Sequence, residues 1–230
     1  MGASRDMGVE SGTARARFLS RWGLSPDAVW WNRQVHSRRV VLLTQDTHGV
    51  IGPSGTATEP NVPQPLHGDL EADGIVVGGA YESPPVPAVT VADCMPIYLY
   101  DRVSGSYALL HSGWKGTGIL DVALHAMTER LGVRIENLQV LLGPSIGSCC
   151  YRVDEARAES YAQEWGLRAV VTRKDGSYLD LREANLGILE RWGVRDIIVV
   201  RDCTVCGPAY SSFRQEGPGA FSHMLALLRP

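Results

Sequence analysis

Three apolar runs dominate the middle of the chain: Val86 to Ala92, Ile97 to Tyr100 and Ser106 to Leu110. Each is β-rich and bounded by proline or turn residues, so each reads as a strand. Asp101 to Gly105 carries Asp, Ser and Gly, which is turn chemistry for a short join between the second and third. Pro96 removes one ladder donor and predicts a break or bulge near Cys94. Leu70 to Val77, Leu138 to Leu142 and Ile197 to Val200 read as further strands, and the piece Val29 to Val41 carries His36. Helical spacing appears over Thr13 to Trp22, with Gly23 as the stop. It appears again over Thr117 to Leu131, where Ile119, Val122, Ala123, Ala126, Met127 and Leu131 share a face that ends at Gly132. Asp154 caps a predicted helix running to Trp165. Asp180 and Glu183 open another, through Trp192 to a stop at Gly193. Asp175-Gly176 marks a turn between short strands, and Pro218 to Leu228 fits a closing strand or helix. Thr47 to Gly68 is rich in Gly, Pro, Thr and Asn and reads as a loop; its His48 and His67 are expected to be solvated. Strand and helix signals alternate, but the short hairpin-like joins break any pure βαβ pattern.

Composition narrows the field. At 230 residues and 44% hydrophobic content, a single domain over 1–230 with an ordinary core is expected, its first 12 residues polar and frayed. The formal net charge is −3 and no large Lys/Arg cluster occurs, so neither nucleic acid nor a membrane surface is an expected partner. No apolar run approaches the roughly 18 residues of a membrane span. No signal-peptide core is visible, and Asp6 stands where a myristoylation motif wants Ser or Thr. A cytoplasmic place follows as an expectation. Five cysteines in a chain of this length do not form a disulfide framework. There is no internal repeat, P-loop or dinucleotide fingerprint.

The chemistry concentrates at strand ends. Gln34-Val35-His36 closes one strand-like run, Asp93-Cys94 ends a second and His111 ends a third. One thiolate and two imidazoles suit zinc, and three protein ligands leave the fourth position open for water. Asp93 is then a candidate for orienting a ligand or acting as general base. Two plainer readings compete. Cys94 can be a buried small apolar residue, or Cys94 and a histidine can work without metal as nucleophile and base. Cys203-Thr-Val-Cys206 resembles half a zinc knuckle or a redox pair. A four-Cys site would need a second such motif, and Cys149-Cys150 is not one, so the pair is taken as structural. The loop Ser145 to Tyr151 reads either as an anion-binding turn or as a tight turn with packed thiols.

Several segments, taken together, resemble a known family: QVH at 34–36, EADGIVV at 71–77, TVADCMPIYLYD at 90–101, HSGWKG at 111–116, LLGPSIGSCCYRVD at 141–154, YLDLREAN at 178–185, CTVC at 203–206 and SSFR at 211–214. This chain is similar to YfiH-like proteins, once called multicopper polyphenol oxidases or laccase-domain proteins and now described as purine nucleoside phosphorylases with adenosine deaminase activity. The resemblance implies an α+β fold, layered α/β/β/α with mixed sheets, and either a monomer or a homodimer. It implies a zinc site on His36, Cys94 and His111, with Cys94, Asp93 and His111 catalytic and copper possible in place of zinc. Purine nucleosides and phosphate are the implied partners, held by Arg214, Lys115 and Gln34. Phosphorolysis would act on adenosine, inosine and methylthioadenosine, and deamination on adenosine. Two other functions stay open: a copper-dependent phenol oxidase and an amidase that edits cell-wall precursors. Multicopper chemistry needs many imidazoles, and this chain has six His and no His-x-His pair. The chain departs from the family pattern at Ser37, where Gly is usual, at Lys115, where Arg is usual, and at Gln215 and Ala220, where further arginines are usual. Lys cannot form the bidentate fork of Arg on phosphate, so these departures bear on phosphorolysis.

Overall fold

The computed structural model describes residues 12–45, 48–55, 57–60, 67–79 and 81–230; the expected frayed start lies outside them up to residue 11. Helix α1 (Gly12–Arg21) comes first and ends at Gly23, whose φ is +65°. Strands β1 (Val29–Arg33), β2 (Val40–Leu43), β3 (His48–Ile51), β4 (Ala57–Pro60), β5 (His67–Glu71), β6 (Gly74–Val77), β7 (Val86–Val91), β8 (Met95–Asp101) and β9 (Tyr107–Ser112) follow. Then come α2 (Ile119–His125), extended by a π-turn over Ala126–Arg130, and β10 (Leu138–Leu142), β11 (Arg152–Val153) and α3 (Glu155–Trp165). The chain ends with β12 (Val170–Arg173), β13 (Gly176–Leu179), α4 (Leu181–Trp192), β14 (Asp196–Val199), the helical turn α5 (Phe213–Glu216) and β15 (Met224–Leu227).

Two sheets stack. The larger has the order β14-β10-β8-β9-β6-β2-β3-β4 and the smaller β15-β7-β1-β5; a third, β11-β13-β12, stands apart. Parallel pairs (β10 with β14, β2 with β6) mix with antiparallel ones (β8 with β9, β8 with β10). Alternation along each strand decides the layers. Val40, Leu42, Val76, Ile97, Leu99, Ala108 and Leu110 join the core beneath α2 and α4. Their neighbours Val41, Leu43, Ile75, Val77 and Tyr107 join a cluster on the opposite face of the larger sheet. Leu109 packs there on Val89, Val91 and Ala226 of the smaller sheet. The outer face of the smaller sheet carries Val29, Val86 and Ala88 against Leu19 of α1. The layer order is therefore helix, small sheet, large sheet, helices, an α+β arrangement with mixed sheets.

The structure corrects two sequence expectations. The stretch 47–68 is not one loop: its described parts form β3, β4 and the start of β5, and His48 and His67 open strands. Their side chains and residues 46, 47, 56 and 61–66 lie outside what is described. Leu70 to Val77 is two strands in different sheets, broken at Asp73. The piece Val29 to Val41 holds two strands in different sheets, with His36 in the connection between them. At Asp73 a sheet change interrupts a run that looks continuous in hydrophobicity.

Candidate active site

Three connections meet at one end of the stacked sheets. His36 lies between β1 and β2, Cys94 between β7 and β8, and His111 near the end of β9. Pro96 pairs with His111 across the β8–β9 ladder, whose register runs unbroken from Met95 to Tyr100. The break falls just before it, at Asp93, where φ is +82°. His36 also has a positive φ, +59°, a conformation costly for residues other than Gly. Asp73 compensates that cost. Its buried carboxylate accepts from the amides of Val35 at 3.3 Å, His36 at 2.9 Å and Ser37 at 2.6 Å, and from the Ser37 hydroxyl at 2.7 Å. The remaining partner of Asp73 Oδ1 is His111 Nδ1, at 2.9 Å. Ser37 thus adds a hydroxyl bond to this carboxylate.

The ligand atoms of His36, Cys94 and His111 lie within 4.8 Å of one another. With Nδ1 turned to Asp73, His111 offers Nε2 to the cluster, the arrangement in which a carboxylate fixes the tautomer of a metal-binding imidazole. Burial opposes a charged thiolate at Cys94, but His111 and His36 beside it together outweigh burial and pull the thiol down to about 6. Burial likewise opposes charge on His111, and the Cys94 thiolate and Asp73 carboxylate lift it to about 10. A preformed thiolate, two imidazoles and an oriented tautomer fit a divalent zinc-type ion. Gly113 makes room for the sulfur: a Cβ there would lie 2.7 Å from Cys94 Sγ.

A cavity of about 660 Å³ opens above this cluster, inside the usual range for a small-molecule site. Trp114, Tyr151, Phe213 and Phe221 contribute aromatic surface, and Arg33, Arg157 and Arg214 contribute cations. Arg33 is paired with Glu71 at 2.7 Å. Arg157 lies over the Trp114 ring at 4.5 Å, and Arg214 over Tyr151 at 5.4 Å with Nη1 donating to the Arg152 carbonyl at 2.9 Å. Arg157 and His223, which also lines the cavity, escape sequence reading; nothing in the polar face of α3 distinguishes Arg157 from a solvated arginine.

The other residues singled out from sequence take distinct places. Asp93 lines the cavity, but both carboxylate oxygens are engaged. Oδ1 accepts from the Thr204 hydroxyl at 2.6 Å and Oδ2 from the Arg214 amide at 2.7 Å. The carboxylate that orients a candidate ligand is Asp73, not Asp93. Gln34 grips Thr90: Nε2 donates to its carbonyl at 2.8 Å, and Oε1 accepts from its amide at 2.7 Å. That bond pins the 34–36 segment to β7 and leaves Gln34 as cavity wall. Lys115 lines a neighbouring cavity of about 210 Å³, together with Trp114 and Arg157.

The family described as multi-copper polyphenol oxidoreductase laccase matches residues 3–228. The chain belongs to that family. Its similarity to solved members of the YfiH type covers the whole fold. The crystal structure of YlmD from Geobacillus stearothermophilus superposes with a TM-score of 0.80 at 27% identity, over 99% of this chain and 86% of that one. A hypothetical protein YfiH from Bacillus licheniformis gives 0.79 at 25% identity, over 97% and 85%. Among curated relatives, purine nucleoside phosphorylase Rv2149c of Mycobacterium tuberculosis is 30% identical over 92% of this chain and 77% of its own length. Adenosine deaminase RL5, from an unknown prokaryotic organism, is 28% identical over 84% and 71%.

Proposed function

We propose that this chain is a zinc-dependent purine nucleoside enzyme, cleaving nucleosides with phosphate and deaminating adenosine. One observation carries the reading: His36, Cys94 and His111 converge at the foot of a cavity walled by aromatic rings and arginines. The names of relatives as purine nucleoside phosphorylase and adenosine deaminase support it. His36, Cys94 and His111 would hold the zinc, which would lower the pKa of a bound water to about 7 and so supply a hydroxide nucleophile for deamination at neutral pH. The protein's own groups do the rest. Asp73 holds His111 in one tautomer and fixes the His36 backbone. Trp114, Tyr151 and Phe213 offer faces for a purine ring. Arg157 and Arg214 offer charge-assisted donors to a phosphate dianion. Adenosine, inosine and methylthioadenosine are the proposed phosphorolysis substrates.

The copper reading has less to draw on. Among the described residues, the clusters of His, Cys and carboxylate able to hold a metal are this one and a four-cysteine group. Neither resembles the imidazole-rich set of a multicopper oxidase. No helix among the described residues is long and apolar enough to cross a membrane. The free thiol of Cys94 and those of the four-cysteine group suit a reducing, cytoplasmic compartment. The test is a screen of purified protein on adenosine, inosine and methylthioadenosine, with and without phosphate, beside Cys94→Ala. Ribose 1-phosphate formed only with phosphate, inosine formed from adenosine, and loss of both in the variant are expected. Near-normal rates in metal-free Cys94→Ala would sink the proposal.

A further inference from the structure

Four thiols meet behind the Asp93 wall. Strands β10 and β14 run parallel and adjacent, so the loops that leave them emerge on the same side. The first loop carries Cys149 and Cys150, the second Cys203 and Cys206, and an isolated parallel bridge between Ser145 and Cys203 holds the loops together. All four sulfurs lie within 4.8 Å of one another. Cys206 Sγ is 3.7 Å from Cys149 Sγ and 3.5 Å from Cys150 Sγ, and all are free thiols. A disulfide would hold its sulfurs at about 2.05 Å. Sulfurs at the corners of a tetrahedron around zinc, with Zn–S of about 2.3 Å, stand about 3.8 Å apart. The observed spacings are close to that edge.

We propose that Cys149, Cys150, Cys203 and Cys206 form a tetrathiolate site for a structural zinc ion, distinct from the centre at His36, Cys94 and His111. Four sulfur ligands complete the coordination shell and leave no open position, the mark of a structural site. An all-thiolate set selects a soft or borderline ion over magnesium or calcium. The surroundings support the ligands. The Gly147 amide donates to Cys203 Sγ at 3.3 Å, as outer partners of metal thiolates do. A Cβ on Gly147 would sit 3.1 Å from Cys149 Sγ and 3.3 Å from Cys203 Cβ, so glycine there lets the two loops close.

The ion would tie together the wall of the larger cavity. Thr204, inside the second cysteine pair, donates its hydroxyl to Asp93 and its amide to the Ser145 carbonyl at 3.2 Å. The Ile146 amide donates to the Asp93 carbonyl at 2.9 Å. Tyr151 follows Cys150 directly and lines the cavity. Fixing the two loops therefore fixes Asp93, the residue before Cys94, and Tyr151 beside it.

The test uses the full chain carrying His36→Ala and Cys94→Ala, so that the other centre contributes no metal. Elemental analysis of that protein is expected to find about one zinc per chain, and further replacement of Cys203 and Cys206 by Ser to bring it near zero. Cobalt reconstitution of the first variant should give strong red d–d bands and near-ultraviolet thiolate charge transfer, both lost when Cys206 is replaced by Ser. Unsubstituted protein provides a reading free of folding effects: mercurial titration of its five thiols should release two zinc ions, one with Cys94 and one with these four. No zinc in the His36→Ala/Cys94→Ala protein, or native disulfides among the four cysteines by non-reducing mass spectrometry, would overturn the site. Neither result bears on nucleoside activity, so this proposal and that one fail separately.

Discussion

Asp73 Oδ1 accepts from the His36 amide and pairs with His111 Nδ1, each at 2.9 Å, so one carboxylate sets both imidazoles of the candidate centre. Burial alone would raise the pKa of Asp73, but hydrogen bonds from His111 and Ser37 outweigh burial and hold it below the ordinary carboxylate value. Asp73→Asn leaves the His111 imidazolium and the 35–37 amides facing a neutral group. A loss of roughly 3–5 kcal/mol is expected from breaking a buried pair, and zinc affinity should fall about 10–100-fold. Because the folded pKa is depressed, the contribution is present above the unfolded value of about 3.9 and lost as pH falls through the folded one. Urea denaturation of both metal-free proteins checks this: their stability difference should hold from neutral pH to about 5 and shrink below 4.

Gly113 touches no candidate substrate group, yet a Cβ there would lie 2.7 Å from Cys94 Sγ and 3.5 Å from His36 Cδ2. Gly113→Ala must therefore push the thiolate off its position. A shift of about 1 Å in a reacting group can cost about 100-fold in rate. Loss of activity and of zinc, with a melting temperature close to that of the parent, is the expected result. Full zinc occupancy in the variant would show that the sulfur has room to move without cost.

Proton release accompanies metal uptake here. In the metal-free protein Cys94 ionises at about 6 and His111 loses its proton only near 10. Between those values the thiolate is ready, and zinc must displace the His111 proton. Apparent zinc affinity at this centre should therefore rise by about one log unit per pH unit between about 6 and 10, and flatten above. Competition titrations with a chromogenic chelator, using protein whose Cys203 and Cys206 are replaced by Ser, measure the slope. An affinity flat across that range would mean that neither His111 nor Cys94 carries a displaceable proton before metal arrives.

What could be read from the sequence follows physical range. The strands β7, β8, β9 and β10 and the helices α2, α3 and α4 are set by local periodicity and caps. Asp154 and Asp180 cap α3 and α4 by accepting from the amides of Arg157, Arg182 and Glu183. The roles of Asp73 and Asp93 depend on contacts far along the chain. Asp73 bonds residues 37 and 38 positions away, and Asp93 bonds residues 111 and 121 positions away. Nothing near Asp73 in sequence marks it as the organiser, since it reads as one polar residue in an apolar run. The four cysteines were missed as a group for a related reason. Adjacent cysteines are no standard ligand pair, and only the parallel alignment of β10 and β14 brings them to Cys203 and Cys206.

The last expectation concerns phosphate. Phosphorolysis needs a cationic anchor for a dianion, since an unpaired buried charge is costly. Arg214 spends one of its guanidinium donors on the Arg152 carbonyl at 2.9 Å, and its own amide bonds Asp93, so the side chain is held at the cavity wall. Arg157, held over Trp114 at 4.5 Å, reaches the same cavity from α3 and is a second candidate anchor. Lys115 places its Nζ 5.5 Å from the Trp114 ring and lines the smaller cavity, not the larger one. Arg214→Ala and Arg157→Ala should each raise the KM for phosphate by about 10–100-fold, the loss of a charge-assisted pair worth roughly 1.5–3 kcal/mol. Deamination by either variant should change less, since it binds no dianion. Lys115→Ala should leave both reactions near the parent rate. Initial rates across phosphate concentrations for the three variants decide the matter, with adenosine deamination measured in parallel. Equal losses of both reactions would make the two arginines wall supports for the purine, and a selective loss in Lys115→Ala would move the phosphate into the smaller cavity.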